Sequence, residues 1–305
     1  VLSYIIRRLG GSVIVLLGIS LITFILSFAV PADPARLILG MKASKQAVDT
    51  LRHTLGLDQP LITQYFRYLG NLLHGNLGQS YVLDLPVSTL IAQRVGYTAQ
   101  LALGSWLMEL IIGIPLGVIS ALKDRKPTDY VMSILALIGI SLPIFFVGLE
   151  LMYWVAFRAG MFPVGGTGGI PFIILPALAY GITGAAYYQR ILKSSMLDVL
   201  HSDYIRTARA KGASPFRSIM GHAFRNAIIP VVTYGATDIA ALFGGVVVLE
   251  DVFGYSGIGQ MAVQAINQLD IPLIMGTVIF AAVFVVIFNL IVDLLYGVID
   301  PRITY

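Results

Sequence analysis

Asp203-Tyr204-Ile205-Arg206-Thr207-Ala208-Arg209-Ala210-Lys211-Gly212-Ala213-Ser214-Pro215-Phe216-Arg217 is a basic stretch set between two long apolar runs. Its first part, 204–211, is built from good helix formers and cations. Gly212 suits a left-handed stop just past a helix. Ser214-Pro215 suits an N-cap followed by proline at the first helical position. The spacing predicts a short helix, a tight turn and a second helix. A helix this short is not stable alone. Either the ends of the flanking apolar helices hold it, its charges serving as their anchors, or a partner does.

Outward from that stretch, the apolar runs decide the fold class. A membrane-spanning helix needs about 20 apolar residues. The window 171–192 precedes the basic stretch, and 227–249 follows it with Asp238 near its middle. Four more windows qualify: 9–30, 98–122 with Glu109, 131–157 with Glu150, and 271–292. The first has Arg7 and Arg8 before it, as a signal peptide would. Its apolar run exceeds the roughly 7–15 residues of a signal core, so it reads as a retained span. Composition agrees. The 305 residues are 57% hydrophobic and 12% charged, against about 25% charged in a soluble domain. The expected fold is an all-α membrane protein with six transmembrane helices.

Basic residues set the topology. Arg7 and Arg8, the loop Lys123-Asp124-Arg125-Lys126, and the loop 193–226 with Arg206, Arg209, Lys211 and Arg217 fall on one side by alternation. The loop 159–170 has no cation, and 250–270 carries Glu250, Asp251 and Asp270. Both termini are therefore expected in the cytoplasm. The net charge of +4 and pI near 9.2 follow from this bias; no basic face of a soluble domain argues for nucleic acid. The long external segment 31–97 repeats apolar residues at helical spacing (Leu51, Leu55, Leu57, Leu61, Ile62, Tyr65, Phe66, Leu69, Leu72, Leu73), with a break at 56–60. It reads as a small helical segment on the outer face. The division is thus 1–30 (N-terminus and first span), 31–97 (external helical segment) and 98–305 (spans two to six with the cytoplasmic loop 193–226).

Candidate chemistry is sparse. The chain has no cysteine, which excludes disulfides and thiolate metal sites. His53, His74, His201 and His222 lack metal-ligand spacing. No P-loop, HExxH or GxSxG pattern occurs, and the Gly-rich 254–259 follows a span rather than a strand. Ionisable residues within spans face a bundle interior or a cavity. Tyr234, Thr237 and Asp238 lie on one face of span five at helical spacing. That stripe either lines a path, where Asp238 could meet a substrate amine, or hydrogen-bonds another helix. Gly113, Pro115 and Gly117 in span two, and Gly181 and Gly184 in span four, permit close helix approach or a hinge.

The basic stretch resembles the cytoplasmic EAA loop of binding-protein-dependent ABC importer permeases, whose core is Glu-Ala-Ala, three residues, then Gly. Arg206-Thr207-Ala208, Arg209-Ala210-Lys211 and Gly212 stand at those positions. The replaced Glu and first Ala are similar to the dipeptide/oligopeptide branch, as is Pro230 lying well beyond His222-Ala223-Phe224-Arg225-Asn226. Tyr4-Ile5-Ile6-Arg7-Arg8-Leu9, Leu55-Gly56-Leu57-Asp58-Gln59-Pro60, Gly75-Asn76-Leu77-Gly78-Gln79-Ser80, Ser141-Leu142-Pro143, 250–259 and Asp300-Pro301-Arg302-Ile303 agree with that branch, and the large early external segment with its B-type subunit.

The resemblance implies the type I ABC importer permease fold in a bacterial or archaeal cytoplasmic membrane. It implies a non-catalytic, channel-forming subunit for dipeptides or oligopeptides. Implied partners are a homologous C-type permease, two cytoplasmic ATPase subunits that hold the ATP and Mg, and an external solute-binding protein. Tyr204, Ile205, Arg206, Ala208, Arg209, Lys211, Gly212 and Ser214 would then form the coupling element that receives the ATPase. Relatives carrying nickel complexes, glutathione or oligosaccharides, and an ion-driven secondary transporter, are the alternatives. The latter would show internal repeats, which the sequence lacks.

Overall fold

The computed structural model describes the backbone of residues 2–29, 34–40 and 42–299, and the side chains of 7–27, 34–36, 38–40, 42–242 and 246–291. Among these residues the regular structure is helical, apart from an isolated bridge between Gln79 and Pro86. In chain order the helices are α1 (Leu2–Ala29), α2 (Pro34–Leu39), α3 (Lys45–Leu55), α4 (Leu61–Leu73), α5 (Val87–Leu122), α6 (Pro127–Ser141) and α7 (Ile144–Leu151). They continue with α8 (Ile170–Leu200), α9 (Asp203–Ala210), α10 (Arg225–Ala227), α11 (Ile229–Val252), α12 (Ile258–Gln268) and α13 (Ile271–Ile299). Two π-helical stretches, Met152–Arg158 and Arg217–Phe224, extend α7 and precede α10.

Among the described residues, all six apolar windows are helical apart from short breaks. Four form single helices long and apolar enough to cross a membrane: Arg7–Ser27, Val87–Leu122, Ile170–Leu200 and Ile271–Ile291. The other two are bent pairs. Pro127–Ser141 and Ile144–Arg158 meet at 102°, and Ile229–Leu242 and Val246–Val252 at 50°. The window 131–157 is therefore not one straight helix. Pro143 brings no N–H to the helical ladder and drives the residue before it out of the helical region. Leu142 is accordingly extended, at φ −81° and ψ 134°.

The chain folds as two compact units. The first comprises the stretch up to Gly96 and Ser256–Ile291. In it α1 buries one narrow face, Ser20, Thr23, Phe24 and Ser27, and leaves Leu17, Leu21, Ile22 and Ile25 exposed. Tyr65 and Tyr68 of α4 pack on Phe24 together with Ile271 and Met275. Gly56, at φ +69°, ends α3 by donating back to the Arg52 and His53 carbonyls. Pro60 then opens α4, so the predicted break at 56–60 is a turn between two helices. The fully buried Asp270 carboxylate holds the loop before α5. It accepts the Ser80 hydroxyl and the N–H groups of Tyr81 (3.1 Å) and Val82 (3.4 Å).

The second unit comprises Tyr97–Tyr255 with Val292–Ile299. Here α5 and α8 touch through glycine on both sides. A Cβ at Gly113 would stand 2.6 Å from the Tyr188 Cβ, and one at Gly117 2.9 Å from the Leu192 Cβ. In return, a Cβ at Gly181 would stand 2.6 Å from the Met108 Cβ. The glycines of spans two and four are thus a packing seam of the small-residue kind that membrane helices use.

Candidate functional site

The loop between spans four and five folds as its residues dictate. α9 ends at Ala210 with Lys211 as its C-cap, after which Gly212 turns left-handed at φ +85°. The Gly212 N–H donates to the Arg209 carbonyl (3.0 Å) and the Ala213 N–H to the Ala208 carbonyl (3.1 Å). This pair of bonds is a Schellman motif. Ser214 then caps the next helix, its Oγ accepting the Arg217 N–H at 3.3 Å and its carbonyl the Ser218 N–H at 2.9 Å. What the spacing does not reveal is that the second helix runs as a π-helix over Arg217–Phe224. Such stretches often sit at functional positions.

One residue anchors α9. Ile205 is fully buried, in a cluster with Leu192 and Met196 of α8, Ala223, and Ala227 and Val231 at the base of span five. The Tyr204 hydroxyl accepts a hydrogen bond from Asn226 Nδ2 at 2.8 Å. Ser218 is buried too, and much of the rest of the hairpin is open surface. Arg206, Arg209, Lys211 and Arg217 are exposed, and Phe216 is 76% exposed. Tyr204, Thr207, Ala208, Lys211, Gly212, Ala213, Arg217 and His222 line a shallow open depression on that surface. The nearby acid, Asp203, sits 3.5 Å from Arg206 in a solvated pair, which contributes little. The face is basic with apolar patches.

A second feature at this end of α8 is not legible in the sequence. Lys193, at the foot of α8, binds both oxygens of Asp129 at 2.6 and 2.8 Å and lies 3.7 Å from Asp124. Asp129 also accepts the Arg125 N–H at 3.1 Å. In the sequence, Lys193 and Asp124 are only loop charges, and Asp129 is not singled out. Folded, they tie the loop between spans two and three to the helix that leads into α9.

Deeper in the spans, Tyr234, Thr237 and Asp238 belong to a polar and aromatic cluster. Trp106 Nε1 of α5 donates to the Tyr188 hydroxyl of α8 at 3.0 Å, and that hydroxyl donates to Asp238 Oδ2 of α11 at 2.7 Å. Three helices are joined by two bonds. Glu109, 1% exposed, lies against Asp238, and its Oε2 has no hydrogen-bond partner. Gly184 leaves the room that the Glu109 carboxylate occupies. Tyr234 meets the Tyr188 ring edge-on at 5.1 Å and stacks near Tyr187 at 6.1 Å. Thr237 is exposed and bonds its own helix, at the Tyr234 carbonyl (2.7 Å). Of the two readings open for Asp238, the interhelical hydrogen bond is present. Trp106 is ordinary in an apolar helix and carries no sequence signal; for Tyr188 the available signal is the loss of hydrophobicity that follows it.

The same cluster continues downward. Tyr188, Leu192, Met196, Ile205 and Val231 form one buried group, with Trp106 and Tyr234 packed against it. A column of packed side chains thus links α9 to the three-helix hydrogen-bond chain.

Comparison with known proteins agrees with this architecture. A family model described as "Binding-protein-dependent transport system inner membrane component" matches residues 113–305, and its N-terminal companion matches residues 1–102. The oligopeptide transport system permease protein AppB of Bacillus subtilis is 39% identical, with 99% of each chain covered. The glutathione transport system permease protein GsiC of Escherichia coli is 38% identical over 100% of this chain and 99% of its own. Among solved structures, an inward-facing MetNI methionine ABC transporter matches 70% of this chain and 97% of its own with a TM-score of 0.56 at 18% identity. An amino acid ABC transporter matches 68% and 93% with a TM-score of 0.51. These two speak for the fold alone. The chain is a transmembrane permease subunit of an ABC transport system and belongs to the family of binding-protein-dependent transport system inner membrane components.

Proposed function

We propose that this permease imports dipeptides and oligopeptides, with both termini in the cytoplasm. It pairs with a homologous C-type permease, binds two ATPase subunits through α9 and the turn at Gly212, and receives substrate from an external binding protein. The column from Ile205 to Tyr188 carries the coupling reading. A helix pinned by one fully buried side chain cannot slide over its support without opening a cavity. A push on its exposed basic face therefore displaces the feet of α8 and α11. Those helices carry Tyr187, Tyr188, Tyr234 and Asp238, so the stroke reaches the place where the path is expected. Peptide as cargo is supported by the naming of AppB at 39% identity. GsiC at 38% favours glutathione, itself a modified tripeptide, as the second reading.

The test is reconstitution with the ATPases and the binding protein in proteoliposomes. ATP-dependent uptake of peptides of graded length is expected, with glutathione as the competitor. Uptake of glutathione and of no other peptide would move the assignment to the second reading. Ile205→Ala should keep the ATPases bound and hydrolysing while uptake falls at least about tenfold, since such a truncation opens a cavity costing about 2–5 kcal/mol. Unchanged uptake in that variant would defeat the coupling role.

A further inference from the structure

The external helix α4 has three faces. At about 100° per residue, Tyr65 and Tyr68 share one face and pack on Phe24 of α1, at ring distances of 5.3 and 6.2 Å. Gln64, Arg67 and Asn71 share a second, polar face, where Arg67 donates to Gln59 Oε1 at 3.0 Å. Ile62, Phe66, Leu69 and Leu73 share a third face, roughly opposite the polar one by the same helical angle. Three of these are strongly exposed: Ile62 at 73%, Phe66 at 65% and Leu73 at 80%. In water such side chains forgo about 1.5–3 kcal/mol each.

The depth of α4 says what covers that face. The Tyr65 hydroxyl is 3.0 Å from the Ser20 hydroxyl, and Ser20 already donates to the Leu17 carbonyl at 2.8 Å, so Tyr65 is the donor. Ser20 lies within the span Arg7–Ser27, about 10 Å inside its far end at 1.5 Å per residue. Met275, in the same cluster, is likewise inside the span Ile271–Ile291. A helix whose tyrosines reach that far down does not stand clear of the bilayer. The neighbouring surface of α1 is apolar too, with Leu17, Leu21 and Ile25 exposed.

We propose that α4 lies in the outer membrane–water boundary, with Ile62, Phe66, Leu69 and Leu73 immersed in lipid acyl chains and Gln64, Arg67 and Asn71 turned to the headgroups and water. One helix thus flanks span one and extends the lipid-facing surface sideways. Polar face, apolar face and interfacial tyrosines together match a helix lying in the boundary plane. The proposal rests on reading α1 as membrane-spanning.

The chain holds no cysteine, so single-cysteine spin labels can report each face in the assembled complex, in nanodiscs, with accessory chains freed of reactive cysteine. Phe66→Cys and Leu73→Cys sample the apolar face, Asn71→Cys the polar one, and Ile22→Cys is the span-one control. Oxygen partitions into hydrocarbon and a nickel chelate stays in water. The oxygen-to-nickel collision ratio at positions 66 and 73 should match that at 22 and exceed that at 71 several-fold. A nickel-dominated signal at 66 and 73 would mean a water-facing stripe and overturn the proposal. Shielding from both relaxants would mean that a protein partner covers the stripe, and would overturn it equally. If position 22 is itself nickel-dominated, the membrane reading of α1 falls and the proposal with it.

Discussion

At the residue scale, Tyr188 does two jobs that no substitute can do together. Its hydroxyl accepts from Trp106 and donates to Asp238, and its ring packs on Tyr234. Tyr188→Phe keeps the ring and removes both bonds. It leaves Asp238 Oδ2 and Trp106 Nε1 without that partner, at a cost of about 1–3 kcal/mol. Asp238→Asn keeps an acceptor oxygen for Tyr188 and should cost less. Thermal unfolding of the purified complex checks this: the Tyr188→Phe melting temperature should fall clearly below that of Asp238→Asn. A Tyr188→Phe complex that melts with the wild type would mean that the bond chain contributes nothing. Glycine acts at the same scale at Gly212, where the φ of +85° puts the backbone in the left-handed region that is strained for residues with a β-carbon.

At the element scale, the decisive contact is the seam between α5 and α8. Each helix presents glycine to the other, so their backbones approach more closely than any side chain would allow. Gly113→Leu must either displace Tyr188 or part the helices. Overpacking of this kind costs about 1–3 kcal/mol or more. Gly10→Leu is the matched control, because nothing lies within 4 Å of the Cβ position there. Expression and melting temperature should drop for the first and hold for the second. A Gly113→Leu protein as stable as the wild type would remove the seam from the account. The bend at Leu142-Pro143 belongs to this scale too, since it converts one apolar window into two helices that leave their junction in different directions.

At the scale of the whole molecule, the chain is one part of a machine. Extraction in mild detergent should bring two further kinds of chain with it, the ATPases and a second permease. Recovery of this chain alone, stable and monodisperse, would contradict the proposed assembly. Replacing the exposed cations Arg206 and Arg209 of α9 with Glu should release the ATPases and spare the second permease, because their charges face outward while Ile205 holds the helix in place. Quantitative mass spectrometry of the purified complex reads this directly.

Much of this architecture is legible along the chain. Apolar length alone locates all six windows. Local chemistry places the turn at Gly212 and the cap at Ser214, because a left-handed turn and an N-cap each need only the residues next to them. The break at 56–60 follows for the same reason. The sequence by itself therefore determined the six apolar windows, their order and the hairpin of the loop between spans four and five. Only the tertiary structure decided which side chains meet: Trp106 with Tyr188 across 82 positions and Tyr188 with Asp238 across 50, Lys193 with Asp129 across 64, and Tyr65 with Ser20 across 45. Periodicity assigns a residue to a face of its own helix. It carries no information on which other helix that face will find. In a bilayer almost every face is apolar enough to be left to lipid, so the choice of partner rests on shape and on a few hydrogen bonds.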